Sequence, residues 1–189
     1  MTIKTETREL ATDSIEIREA NGTRMIHGYA VKWGMPSNKI GGRFFEQFQK
    51  GAFTESLAKH DIRALWSHDT SKVLGRTKNN TLRLTEDDVG LRFELDLPNT
   101  TVGNDTYESI NRGDIDGVSF GFRAIQQHWE KRDQNNIVRD ITKANLLEIS
   151  PIGFPAYPDS QVSIRGYDPF NDYSEKQDLR KRLILKTYF

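Results

Sequence analysis

The stretch from residue 62 to residue 97 constrains the fold more than any other part of the chain. Four short segments with strand character, 62–68, 72–76, 81–85 and 91–97, follow one another, with polar turns at Asn79-Asn80 and Glu86-Asp87-Asp88. A spacing of roughly ten residues suits hairpin connections and leaves no room for alternating strand–helix–strand units. It predicts a meander or a small barrel.

The flanking segments extend this β pattern. Residues 14–19 alternate, with Ile15 and Ile17 against Glu16 and Arg18, and residues 24–33 place Met25, His27, Tyr29 and Val31 on one face. Gly34-Met-Pro36 ends that strand and 38–42 reads as a loop. In 44–60, Phe44, Phe45, Phe48, Phe53 and Leu57 fit a helical period, which Gly51 weakens. A short helix is expected over 104–111, capped by Asn104 or Asp105. Residues 115–125 form a strand, 126–136 a polar hairpin connection, and 137–152 one or two further strands. Phe154-Pro-Ala-Tyr-Pro158 reads as a rigid loop and 161–165 as a last short strand. Residues 175–188 read as an amphipathic helix with Leu179, Leu183 and Ile184 on one side. The fold class is mainly β with flanking helices (α+β). The chain divides into a polar, loose segment at 1–13, a domain at 14–168, and a helix or the start of a tail at 169–189.

Composition narrows the function classes. The 189 residues carry 27 basic and 27 acidic side chains and no cysteine. Without cysteine there is no disulfide scaffold, thiolate zinc site, iron–sulfur cluster or cysteine nucleophile. Balanced charge argues against a dedicated nucleic-acid binder. No apolar run approaches the roughly 20 residues of a membrane span, and the first ten residues lack the apolar centre of a signal peptide. The expectation is a soluble cytoplasmic protein with no membrane or nucleic-acid partner. His60 and His68 with Asp61 or Asp69 match no zinc spacing. Gly113-Asp-Ile-Asp-Gly117 lacks the lysine and following helix of a phosphate loop. Neither a metal nor another cofactor is expected.

Three segments can carry chemistry. In Gly117-Val-Ser-Phe-Gly-Phe122, strand alternation sends Val118, Phe120 and Phe122 one way and Ser119, Gly121 and Arg123 the other. Ser119 thus lies off the core face beside a glycine, with open space for a substrate carbonyl. A small-residue face packed under another element would have the same pattern. Residues 62–68 end in His68, and a histidine at a strand end can act as a general base toward a serine hydroxyl. Asp69 diverges from His68 on an extended chain. In Leu146-Leu-Glu-Ile-Ser-Pro151, Leu147 and Ile149 face one way and Leu146, Glu148 and Ser150 the other. A carboxylate inside an apolar strand needs a partner. Arg112, Arg123 or Arg139 would serve, or Glu148 could accept the Nδ1–H of His68 and fix its tautomer.

The order of these segments resembles the prohead maturation proteases of tailed phages, which are distantly similar to herpesvirus assemblins. The resemblance rests on Gly28-Tyr-Ala-Val-Lys-Trp33, Gly51-Ala-Phe53 with Ser56-Leu57, Leu65-Trp-Ser-His-Asp69, Leu74-Gly-Arg76, Gly90-Leu-Arg-Phe-Glu94, Arg112-Gly-Asp114, Val118-Ser-Phe-Gly-Phe122, and Leu147-Glu-Ile-Ser150 followed by Phe154-Pro-Ala-Tyr157. It implies a serine endopeptidase built on an assemblin-like small β-barrel surrounded by helices. Such an enzyme works in the host bacterial cytoplasm, inside the assembling procapsid. Its partners are substrates: scaffolding protein, or the scaffold segment of the major capsid protein, and usually its own chain. The resemblance also leaves room for a homo-oligomer. Carried over motif by motif, it makes Ser119 the nucleophile, His68 the base and Glu148 the third member. Assemblins instead use a second histidine downstream of the serine, which here is His128.

The mechanism implied is acyl transfer, with an oxyanion hole drawn from backbone N–H groups near Phe120 or Gly121 or from Arg165. Two rivals stand beside it. One is a noncatalytic assembly module that binds scaffold with the same barrel. The other is a nucleic-acid contact through Arg180, Lys181, Arg182 and Lys186, cations that equally suit the C-terminal end of a solvated helix.

Overall fold

A computed structural model describes residues 4–10, 15–20, 22–133, 136–153 and 168–187. The described elements run β1 (Glu6–Leu10), β2 (Glu16–Ala20), β3 (Thr23–Lys32), β4 (Phe45–Phe48), α1 (Thr54–Lys59), β5 (Arg63–Trp66), β6 (Asp69–Arg76), β7 (Leu82–Glu86), β8 (Gly90–Asp96), α2 (Thr101–Asn111), β9 (Gly117–Lys131), β10 (Ile137–Ile152) and α3 (Pro169–Thr187). The molecule is mainly β with three helices, an α+β arrangement.

Two sheets share the strands. One has the order β1-β9-β10-β5-β6, with β4 also paired to β10; the other is β2-β3-β8-β7. The 62–97 run forms hairpins, but it is split between the sheets: β5 and β6 belong to the first, β7 and β8 to the second. Both contribute to one apolar core. Ile26, Leu82, Phe93 and Leu95 from the second sheet meet Ala64, Phe120, Phe122 and Ile149 from the first. Its centre is aromatic, with Phe48 5.4 Å from Phe120 and 5.1 Å from Phe122, both edge-on. Such edge contacts favour one packing arrangement beyond the area they bury.

Three elements depart from expectation for physical reasons. Residues 44–60 are not one helix. Phe45–Phe48 is a strand parallel to β10, Gly51 turns the chain at a φ of 88°, and only Thr54–Lys59 is helical. Aromatics at 44, 48 and 53 mimic a helical stripe while serving two different clusters, Phe44 with Ile40 and Phe48 with Phe53 in the main core. The polar stretch 126–136 does not interrupt β9, which continues to Lys131 in register with β10. A ribbon with exposed side chains needs no apolar alternation to stay paired. Helix α2 begins at Thr101, and Thr100 caps it by accepting the Gly103 N–H, so Asn104 lies inside the helix.

The two ends of the chain also differ from expectation. Five residues of the stretch expected to be loose, Glu6–Leu10, form β1 against β9. Helix α3 starts at Pro169 and docks through its first turn. Phe170 stacks on Phe44 at 5.8 Å and Tyr173 on Trp129 at 4.7 Å, while Arg43 pairs with Asp168. Leu179, Leu183 and Ile184, expected to dock the helix, are exposed. The loop at 154–158 and the strand at 161–165 fall outside the described residues.

Candidate active site

The long β9–β10 ladder supplies the floor of the site. Its register sets Gly121 opposite Glu148 and Ser119 opposite Ser150. Directly opposed residues on an antiparallel pair share a face, so Ser119, Gly121, Glu148 and Ser150 lie together on the side away from Phe120 and Phe122. For Glu148 and Ser150 this is the face that alternation about Ile149 predicts, but Leu146 and Leu147 are exchanged relative to that expectation. A register irregularity between Leu146 and Glu148 leaves Leu147 as an extra residue, and Leu146 joins Ile149 in the core in its place. A bulge of this kind re-aims the side chain that follows it, here Glu148.

The face that was expected to be open is filled. A Cβ on Gly121 would come within 2.7 Å of Glu148 Oε1, so glycine is the residue that lets the carboxylate lie across β9. Ser119 is fully buried, and its Oγ donates to the carbonyl oxygen of Arg8 in β1 at 2.9 Å.

His68 comes from a different position than expected. It does not end a strand but sits with Ser67 in the two-residue turn between β5 and β6, where Trp66 pairs with Asp69. Both turn residues have positive φ, 48° at Ser67 and 64° at His68. Tight hairpins of this hand normally use Asn-Gly, because side chains are strained there by about 1–2 kcal/mol per residue. Contacts to β10 hold the turn: Ser67 N–H donates to Pro151 O at 3.3 Å, and His68 N–H to Ser150 Oγ at 3.1 Å. The imidazole reaches back along β10, with Nδ1 2.8 Å from Glu148 Oε1. Ser150 Oγ donates to the other carboxylate oxygen at 2.6 Å. Glu148 is thereby fixed at both oxygens, and Nδ1–H as the donor leaves Nε2 as the free lone pair. Nε2 is buried and has no hydrogen-bond partner among the described residues.

A family model described as caudovirus prohead serine protease matches residues 9–172. The chain belongs to that family. No significant match was found among curated proteins or among solved structures. The caudovirus prohead serine proteases are, at family level, serine proteases of capsid maturation. In this member of the family the structure brings His68, Glu148 and Ser119 to one end of the β9–β10 ladder. His128 lies at the other end, opposite Asp140 and exposed, seven residues and about 23 Å along the strand from Gly121. Arg165 is outside the described residues. Phe120 and Gly121 lie on a strand paired on both sides, by β1 and β10. Among the described residues no group of three or more histidine, aspartate or glutamate side chains could hold a metal ion, and no helix is long and apolar enough to cross a membrane.

Sequence reasoning missed a buried quartet beside this site. Arg8 donates to Glu46 at 2.7 Å and to Glu6 at 2.7 Å, and Arg139 donates to Glu46 at 2.6 Å and to Glu6 at 2.8 Å. All four side chains are almost completely enclosed. Burial alone would raise the pKa of Glu46, but the guanidiniums of Arg8 and Arg139 outweigh it and hold the carboxyl below its ordinary value. Arg139, one of the cations considered for Glu148, is committed here. The available signal was the pair of charges, Glu46 and Arg139, each with apolar residues two positions away on either side, Phe44 and Phe48 for the first and Ile137 and Ile141 for the second.

Proposed function

We propose that this chain is the maturation endopeptidase of a phage prohead, with Ser119 as nucleophile, His68 as general base and Glu148 as the group that orients and stabilises the imidazolium. The observation that carries this reading is the Nδ1–Glu148 bond combined with a buried, unpartnered Nε2. A neutral imidazole in that tautomer presents a lone pair, and a neighbouring serine hydroxyl is the proton donor it lacks. Ser119 lies on the same face, directly across from the Ser150 that holds the His68 turn and is itself committed to Glu148. His68 takes the Oγ proton as Ser119 attacks a peptide carbonyl, then returns it to the leaving amine. Water repeats the cycle on the acyl-enzyme.

The substrates that fit this assignment are scaffolding protein or the scaffold segment of the major capsid protein, together with the chain itself, inside the assembling procapsid in the host cytoplasm. Kinship of the fold with herpesvirus assemblins is part of the same proposal. Two measurements test it. A fluorophosphonate probe should label Ser119, and co-expression with the neighbouring capsid proteins should give fragments that disappear in Ser119→Ala. No labelling and identical fragments from Ser119→Ala would leave a noncatalytic assembly module instead.

A further inference from the structure

The partner of Ser119 in this structure is β1, and the way β1 is held describes a substrate. It pairs antiparallel with β9 over Glu6↔Phe122 to Leu10↔Val118, occupying the edge that β9 would otherwise present. An extended peptide added to such an edge is recognised through its backbone by the ladder and through alternate side chains by pockets on one face. Both kinds of contact are present. Ser119 Oγ meets the Arg8 carbonyl at 2.9 Å. The side chains of Arg8 and Glu6 lie opposite Phe120 and Phe122, on the inner face, where Glu46 and Arg139 receive them. The Arg8 guanidinium also sits over the Phe122 ring, 5.5 Å from its centroid.

We propose that β1 occupies the substrate track, and that the enzyme cleaves extended segments after a basic residue that has an acidic residue two positions before it. The inference rests on Ser119 being the nucleophile. Glu46 reads the basic side chain at the cleavage position and Arg139 the acidic one two residues earlier. In β1 the corresponding bond is Arg8–Glu9. Ser119 Oγ bonds to the carbonyl carbon and its proton passes to His68. The Arg8–Glu9 C–N bond breaks, the Glu9 nitrogen takes the proton from His68, and water releases the acyl group. In the structure Ser119 instead donates its proton to the carbonyl oxygen, an arrangement that binds the strand without attacking it. When β1 leaves it removes one acid and one base, so Glu46 and Arg139 remain as a matched pair and a second strand of the same pattern can replace it.

The test uses the whole chain and two nine-residue peptides. One has the sequence of residues 4–12, and the other has the residues corresponding to Glu6 and Arg8 exchanged. Products are read by mass spectrometry with wild type, Ser119→Ala, and a Glu6→Ser/Arg8→Ser variant in which β1 is held less tightly. The expected result is Ser119-dependent cleavage after the arginine of the first peptide, about thirtyfold or more faster than any cut in the exchanged one, since mispairing a buried charge costs at least that factor. The Glu6→Ser/Arg8→Ser variant should cleave the first peptide faster than wild type does. Equal cleavage of both peptides would overturn the proposed recognition. So would Ser119-dependent digestion of unfolded casein by the variant with neither peptide cut, and that outcome would leave the protease assignment standing. If neither casein nor peptide is cut in a Ser119-dependent way and no probe labels Ser119, both fail together.

Discussion

Glu148 is the residue on which the proposed chemistry turns, because it is bonded at one oxygen by His68 and at the other by Ser150. Glu148→Gln keeps the shape but presents an amide to Nδ1, so turnover on a cleavable peptide should fall by roughly two to four orders of magnitude, with an unchanged circular dichroism spectrum. His128→Ala, at the far end of the ladder, should leave turnover unchanged in the same assay. Gly121 tests the geometry from the opposite side. A methyl group there collides with the carboxylate, so Gly121→Ala should depress turnover by about tenfold or more, and the loss should exceed that of a control alanine at exposed Gly153, where an added methyl meets only ordinary contacts at 3.8 Å. The core half of this strand was legible in the sequence: alternation places Phe120 and Phe122 inward and Ser119 away from them. Alternation likewise places Glu148 and Ser150 off the Ile149 face; what it could not show was the bulge that puts Leu146 in the core instead of Leu147, since a bulge leaves no mark in the polarity of its neighbours.

Elements show the same division. Strands and hairpins from 62 to 97 were legible because short turns permit few alternatives. The Ser67–His68 turn was not, because a two-residue turn with positive φ ordinarily announces itself with glycine or asparagine. Strain kept at a candidate catalytic turn should be recoverable as stability. Ser67→Gly is expected to raise the unfolding free energy by up to about 1 kcal/mol, read as a higher urea midpoint. β1 was illegible for another reason: its anchor is a set of charges from three strands, and each charge looks like surface until the partners are known. Because the pKa of Glu46 is lowered in the folded protein, its contribution to stability is complete above the ordinary carboxylate value. That contribution is lost as pH falls through the lowered one. Amide exchange should therefore show β1 losing protection on acidification below about pH 4, ahead of the β9–β10 ladder. Uniform loss across both would contradict a quartet-held strand.

Across the whole molecule, β10 is the member that everything else requires. It pairs with β9, β5 and β4, and through them it joins both aromatic clusters and the site. Helix α3 is attached more locally, so Phe170→Ala should lower the thermal midpoint, whereas Leu179→Gln, on a side chain 59% exposed, should stay within about 0.5 kcal/mol of wild type. A larger effect at Leu179 would place the helix against a surface its exposure does not reveal. The position of β10 in the chain also sets a clock. His68 and Glu148 are 80 residues apart, and at typical cellular elongation rates that separation is on the order of 4–16 s of synthesis. Strands β2, β3, β7 and β8 all lie within residues 16–96 and can form their sheet during that interval. β4 and β5 must wait for their parallel partner. A ribosome carrying the unfinished chain can therefore display the second sheet while the candidate site is still incomplete, and His68 meets Glu148 only after the strand at 137–152 has left the exit tunnel.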